Sequence, residues 1–175
     1  MSLELIKESL PEYAKDIKLN LSSAFMQQNL TPTQLWGTAV AVAASTRSAQ
    51  LIEWVYSEAR EKLDEVNFTA ARGAAALMAM NNTYYRTLHL AEEESLLKTP
   101  SGLRMNFMKS HGVDSKDFEL WSLAVSAINA CGLCISSHRN KLLESGITDD
   151  QILSAIKIAA TLNAVAAILV ESNCH

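Results

Sequence analysis

Proline and glycine are scarce in this chain, three and six residues among 175. So few chain breakers leave little room for the tight turns of a hairpin-rich protein. Runs that alternate β-branched and polar residues are missing too, which removes the usual sign of half-buried strands. Lys and Arg nowhere form a run, and the formal charge of −4 with a pI near 5.6 argues against nucleic acid or an anionic membrane surface as a partner. The N-terminus, Met-Ser-Leu-Glu-Leu-Ile-Lys-Glu, has neither the apolar core nor the small-residue cleavage site of a secretory signal. Apolar segments such as 156–170 are interrupted by Lys157, Thr161 and Asn163 and fall short of the about 20 residues that a bilayer span requires. A cytoplasmic protein is expected. Cysteines number only three, few and odd for a secreted disulfide scaffold. In a reducing compartment a close cysteine pair points instead to catalysis or metal binding.

What the chain has in abundance is helix-forming. Ala, Leu, Met, Glu and Lys dominate, and 49% hydrophobic content is ample for the core of one compact domain. An all-α fold is therefore predicted. Residues 3–10 read as a first helix, and Pro11 is placed to start a second through Tyr13, Ile17, Leu19 and Leu21. Thr31, Pro32 and Gln34 form a capping signature for a buried helix through Trp36, Val40 and Ala44. A break at 45–48 leads into an amphipathic segment, 49–62, and a cap at 67–69 opens an Ala- and Met-rich helix, 70–85. Residues 88–113 read as a solvated connector with one short helix, because they hold Glu92-Glu93-Glu94 and the turn Thr99-Pro100-Ser101-Gly102. Asp114 or Ser115 then caps a helix ending near Asn129. A further helix, 131–144, stops at Gly146, and Thr148 with Gln151 caps a last one. That last helix is apolar nearly all round, which places it at the centre of the protein or of an oligomer.

An internal repeat organises these elements. Leu35-Trp36-Gly37-Thr38-Ala39-Val40 matches Leu120-Trp121-Ser122-Leu123-Ala124-Val125 at an offset of 85 residues. The chain thus divides into an N-terminal half at 1–87, the connector at 88–113 and a C-terminal half at 114–175. With that offset Gln34 stands at the place of Glu119, Thr46 of Cys131, Ala49 of Cys134 and Glu53 of His138. The first copy keeps the scaffold and lacks the chemistry.

The chemistry gathers between Glu119 and His138. Cys131 and Cys134, two residues apart at a helix start, can close a small disulfide ring. A thiol has an ordinary pKa of about 8.5 and only the thiolate attacks, so the anion needs support. A helix N-terminus supplies partial positive charge, His138 lies one turn beyond Cys134 on the same face, and Glu119 can reach either group if the chain folds back at 129–130. A buried Glu119 is expected to have a raised pKa, suited to acid–base work. Thioredoxin-like logic favours the first cysteine as nucleophile, while a histidine four residues on favours the second. Two other readings compete. Cys131, Cys134 and His138 can ligate zinc with Cys174 or His175 as the fourth ligand, although that second pair falls at the chain end. Alternatively, the cysteines are small core residues without reactivity. No βαβ pattern surrounds the motif, which speaks against a thioredoxin fold. His89, His111 and His175 read as surface or loop residues, and the three tryptophans as core.

The pattern Glu119-x11-Cys131-x2-Cys134-x3-His138 in a duplicated helical chain resembles the AhpD family of the carboxymuconolactone decarboxylase-like superfamily. The resemblance extends through Leu10-Pro11-Glu12-Tyr13, Gln34-Leu35-Trp36-Gly37, Met80-Asn81-Asn82, Tyr85-Arg86, Gly102-Leu103-Arg104-Met105-Asn106, Phe118-Glu119-Leu120-Trp121 and Ala127-Ile128-Asn129, and so spans essentially the whole chain. It implies a homotrimeric all-α lipoyl-dependent alkyl hydroperoxide reductase (a peroxidase) that reduces organic hydroperoxides weakly and regenerates a peroxiredoxin of the AhpC type. Electrons would come from dihydrolipoamide on a lipoylated acyltransferase, kept reduced through lipoamide dehydrogenase, with no tightly bound cofactor. It further implies that Cys134 is the attacking thiol, Cys131 the proton donor and resolving partner, and Glu119 with His138 the proton relay. Some members of that family carry a histidine just before the second cysteine, where this chain has Leu133. Proton transfer would then rest more heavily on His138 and Glu119.

Overall fold

The computed structural model describes residues 3–172, and among them every regular element is helical. Helix α1 (Leu3–Ser9) is followed by a 3₁₀ turn, Glu12–Ala14, and α2 (Lys15–Phe25). Pro11 therefore opens a 3₁₀ turn rather than the α-helix itself. Helix α3 (Pro32–Thr46) starts from the full capping box: Gln34 N donates to Thr31 Oγ1 and Thr31 N to Gln34 Oε1, both at 3.1 Å. Helix α4 (Ala49–Ala59) ends three residues before the predicted boundary, in a turn through Lys62. Helix α5 (Glu65–Ala91) begins earlier than predicted, because Asp64 and not the 67–69 segment is the cap, accepting from Asn67 N at 2.7 Å. Two short helices, α6 (Glu94–Lys98) and α7 (Phe107–Ser110), lie in the connector. Helices α8 (Ser115–Ile128), α9 (Gly132–Glu144) and α10 (Asp149–Ser172) complete the chain.

The centre is a crossing of α3 on α8, with α5 and α10 packed against both and α9 against α8. Gly37 makes this close approach possible, since a Cβ there would stand 2.2 Å from the Trp121 ring. Trp121, Phe118, Leu120 and Leu123 on α8 are buried, as are Trp54 and Phe68 on α4 and α5. Each such side chain contributes about 1.5–3 kcal/mol of transfer free energy. Helix α10, at 24 residues, is long and apolar enough to cross a membrane, so length alone does not exclude a span. Its buried face, from Ile152 to Leu169, packs on α2, α3 and α8, which is the position of a core helix.

The order α3–α4–α5 recurs as α8–α9–α10, but the register differs from the one that the Leu-Trp motif suggests. The caps Thr31 and Asp114 lie 83 residues apart, as do the left-handed residues before the next helix, Arg47 and Ala130. The buried positions of α3, from Leu35 to Ala43, fall on those of α8 from Phe118 to Ser126 with the same spacing. In this register Ser48 stands for Cys131, Leu51 for Cys134, Val55 for His138 and Trp36 for Glu119. The shared Leu-Trp-x-x-Ala-Val letters are offset by two positions from this structural match.

Candidate active site

The turn between α8 and α9 builds the site. Asn129 caps α8, Ala130 takes the left-handed conformation with φ 52°, and the chain then re-enters a helix at Gly132. Ala130 N donates to Ala127 O at 3.1 Å and Cys131 N to Ser126 O at 3.1 Å. These two bonds close the helix end in the Schellman pattern, which normally uses glycine at the left-handed position. Cys131 becomes the N-cap of α9, its Sγ accepting from Cys134 N at 3.4 Å. Both sulfurs therefore sit at the positive end of a 13-residue helix.

Cys131 and Cys134 are joined as a disulfide, their Cα atoms 5.3 Å apart. Bonded to each other, they offer a metal no thiolate in this state. Cys174 and His175, the remaining ligands of the zinc reading, lie outside the described residues. Cys131 is fully buried, whereas Cys134 lines a cavity of about 370 Å³. The same cavity is walled by Met78, Asn81 and Tyr85 of α5, by Met105 and Met108, and by Leu133, Ser137, His138 and Lys141 of α9. Its walls are mostly apolar, with Asn81 and Tyr85 on α5 and Ser137, His138 and Lys141 on α9 as the polar groups.

The structure brings Glu119 and His138 into direct contact. His138 Nδ1 lies 2.5 Å from Glu119 Oε2, and Lys141 Nζ donates to Glu119 Oε1 at 2.8 Å. Burial raises the carboxyl pKa, but the bonds from His138 and Lys141 outweigh it, and the group is held below its ordinary value. The raised pKa expected from burial alone is thus corrected: Glu119 is a carboxylate at neutral pH. The other ring nitrogen, Nε2, meets Met78 Sδ at 3.3 Å.

A polar network braces the turn from behind. Asn82, wholly buried on α5, donates to Ser126 Oγ at 2.9 Å and accepts from Asn129 Nδ2 at 3.0 Å. Arg86 donates to the Asn129 carbonyl. No sequence motif marks Met78 or Lys141, and Asn82 and Arg86 stand out only through the family resemblance. The connector also does more than link: Met105 and Met108 close one side of the cavity, and Asn81 Nδ2 contacts Met108 Sδ at 3.8 Å. His111 stacks on Phe118 at 4.2 Å in its loop, and His89 is exposed on α5.

A disulfide-capable Cys pair at a helix start, facing a cavity and backed by a histidine–carboxylate pair, defines an all-helical dithiol protein. The model of the carboxymuconolactone decarboxylase family matches residues 94–170, the part that carries Glu119, the cysteine pair and His138. Over 169 residues the chain is 48% identical to the alkyl hydroperoxide reductase AhpD of Maricaulis maris, covering 97% of this chain and 98% of that one. The AhpD of Acidobacterium capsulatum is 48% identical over 176 residues, covering 100% of this chain and 96% of its own. That of Coxiella burnetii is 46% identical over 174 residues, 98% of each chain. The chain belongs to the AhpD family.

Proposed function

We propose that this protein is a cytoplasmic antioxidant oxidoreductase that reduces organic hydroperoxides, or regenerates an AhpC-type peroxiredoxin, with electrons from dihydrolipoamide. The observation that carries this reading is the Cys131–Cys134 disulfide at the wall of an apolar cavity, with His138 beside it on Glu119. The relatives' name, alkyl hydroperoxide reductase AhpD, supports the substrate class.

The cycle starts from the disulfide. One thiolate of dihydrolipoamide attacks Cys134, the sulfur at the cavity, and Cys131 leaves as a thiolate that takes a proton. The second lipoyl thiol displaces Cys134 and closes the lipoyl ring, which leaves a dithiol. The Cys134 thiolate, supported by the helix N-terminus, attacks the outer peroxide oxygen. The O–O bond breaks, the alcohol leaves with a proton and Cys134 becomes a sulfenic acid. Cys131 then attacks that sulfur, water leaves and the disulfide returns. In sum, hydroperoxide and dihydrolipoamide give alcohol, water and lipoamide. His138 accepts and returns the protons. Glu119, ionised and anchored by Lys141, orients the ring and stabilises its charged form. In the peroxiredoxin reaction the same dithiol exchanges with the partner's disulfide. The lipoylated acyltransferase, with lipoamide dehydrogenase behind it, is the proposed donor, and a homotrimer the proposed assembly.

The test is a thiol count by mass spectrometry, first with dihydrolipoamide and then with an organic hydroperoxide. Gain and loss of two hydrogens mapped to Cys131 and Cys134 is the expected result. A pair that stays inert to both reagents overturns the proposal.

A further inference from the structure

We propose that Met78 is a positioning residue for His138, and that its thioether is a releasable hydrogen-bond acceptor in the proton path. The inference rests on the dithiol reading given above. Met78 is buried on α5, and its Sδ is the contact of His138 Nε2 at 3.3 Å. Because Glu119 is held as a carboxylate 2.5 Å from Nδ1, that nitrogen carries the proton of the pair. Nε2 is consequently the nitrogen that gains and loses a proton toward the cavity, and in the charged ring its N–H donates to Met78 Sδ. An imidazole ring held at Nδ1 alone can still pivot about the side-chain bond, whereas contacts at both nitrogens fix its plane. Met78 supplies the second contact.

The choice of sulfur suits this task. A thioether is a weak acceptor. An amide or carboxylate oxygen at the same place would bind the Nε2 proton more firmly and withhold it from the cysteine pair. A hydrocarbon would not hold the ring at all. The sulfur also receives Asn82 Nδ2 at 3.8 Å. Met78 therefore joins the Lys141–Glu119–His138 chain to the Ser126–Asn82–Asn129 network behind the cysteine turn. One residue thus touches both the proton-handling group and the support of the turn that carries Cys131.

The experiment compares the parent protein with Met78→Leu and Met78→Gln in steady-state turnover of cumene hydroperoxide with dihydrolipoamide, alongside proton–nitrogen NMR of the His138 ring. Leucine keeps volume and apolarity, so packing alone is nearly indifferent to that exchange. A lost weak hydrogen bond corresponds to a factor of about 5 to 10. The expected result is a kcat lowered by about that factor in Met78→Leu with an unchanged KM and melting temperature, and with a changed Nε2 resonance. Met78→Gln is expected to slow turnover as well, with the Nε2 proton exchanging more slowly than in the parent. Parental kcat and Nε2 resonance in Met78→Leu overturn the assignment. An inactive parent with the same NMR changes overturns the dithiol reading and leaves the contact itself supported.

Discussion

Cys131 and Cys134 share one bond but not one environment. Cys131 is fully buried as the N-cap of α9, while Cys134 faces the cavity. A reagent entering the cavity meets Cys134, so the two serine variants should differ in kind. In Cys131→Ser, hydroperoxide is expected to leave Cys134 as a sulfenic acid that a cyclic diketone probe traps, with one oxygen added by mass. In Cys134→Ser, no such adduct is expected, and both variants are expected to lose nearly all turnover, since the proposed attacking and resolving steps each need a thiol. Glu119 makes a second residue-level prediction. Its pKa is lowered from the ordinary 4.5, so its interactions stabilise the fold above that value and are lost as pH falls through the folded one. Urea unfolding should show Glu119→Gln less stable than the parent near neutrality, with the difference shrinking as the solution is acidified below about pH 4.5. A difference that is constant with pH would mean that the glutamate acts only through packing. The direction of this shift was not legible from sequence spacing. Burial of Glu119 could be inferred from the apolar neighbours on α8, but Lys141 lies 22 residues away on α9 and enters only when the turn at Ala130 folds the two helices together.

At the scale of elements, the sequence was most legible where a helix end is set by local chemistry. The boxes at Thr31–Gln34 and Thr148–Gln151 form as their spacing requires, and Gly146, with φ 88°, ends α9. Legibility failed where two residues competed for the same cap. Asp64 starts α5 because its carboxylate reaches Asn67 N, and the Asn67 that looked like a cap is instead the third residue of the helix. It failed again in the connector, whose polarity hides Phe107, Met105 and Met108, the residues that seat it on Gly73 and over the cavity. Two helix contacts can be tested directly. Gly37→Ala drives a methyl into the Trp121 ring, and overpacking of this kind costs about 1–3 kcal/mol in urea unfolding. Ala130→Gly should act in the opposite sense. A left-handed alanine carries a penalty of about 1–2 kcal/mol that glycine does not, so the variant is expected to gain up to about 1 kcal/mol after the entropy of the unfolded glycine is counted.

Across the whole molecule, the two three-helix units use one turn design for two ends. In the first, the left-handed Arg47 precedes Ser48, whose side chain caps α4 on Leu51 N; in the second, Ala130 precedes Cys131, which caps α9 on Cys134 N. The chain-breaking geometry that holds a cysteine pair is thus present twice, and the side chains distinguish the unit that carries the pair from the one that does not. The 83-residue register makes this separable by experiment. Ser48→Cys with Leu51→Cys, introduced into a chain lacking the native pair, should oxidise to an intramolecular disulfide, because both positions inherit the cap geometry. Truncating the buried Leu51 lowers stability by about 2 kcal/mol, so the double variant should still fold. It should nevertheless fail to reduce hydroperoxide, since Val55 and Trp36 occupy the places of His138 and Glu119. The pair given by the sequence offset, Thr46→Cys with Ala49→Cys, straddles the left-handed residue and is expected to stay as free thiols under the same oxidant. Thiol counting by mass spectrometry decides between the two registers. Closure of the 46–49 pair and not the 48–51 pair would show that the repeat follows the Leu-Trp letters, and that the cap geometry is coincidental.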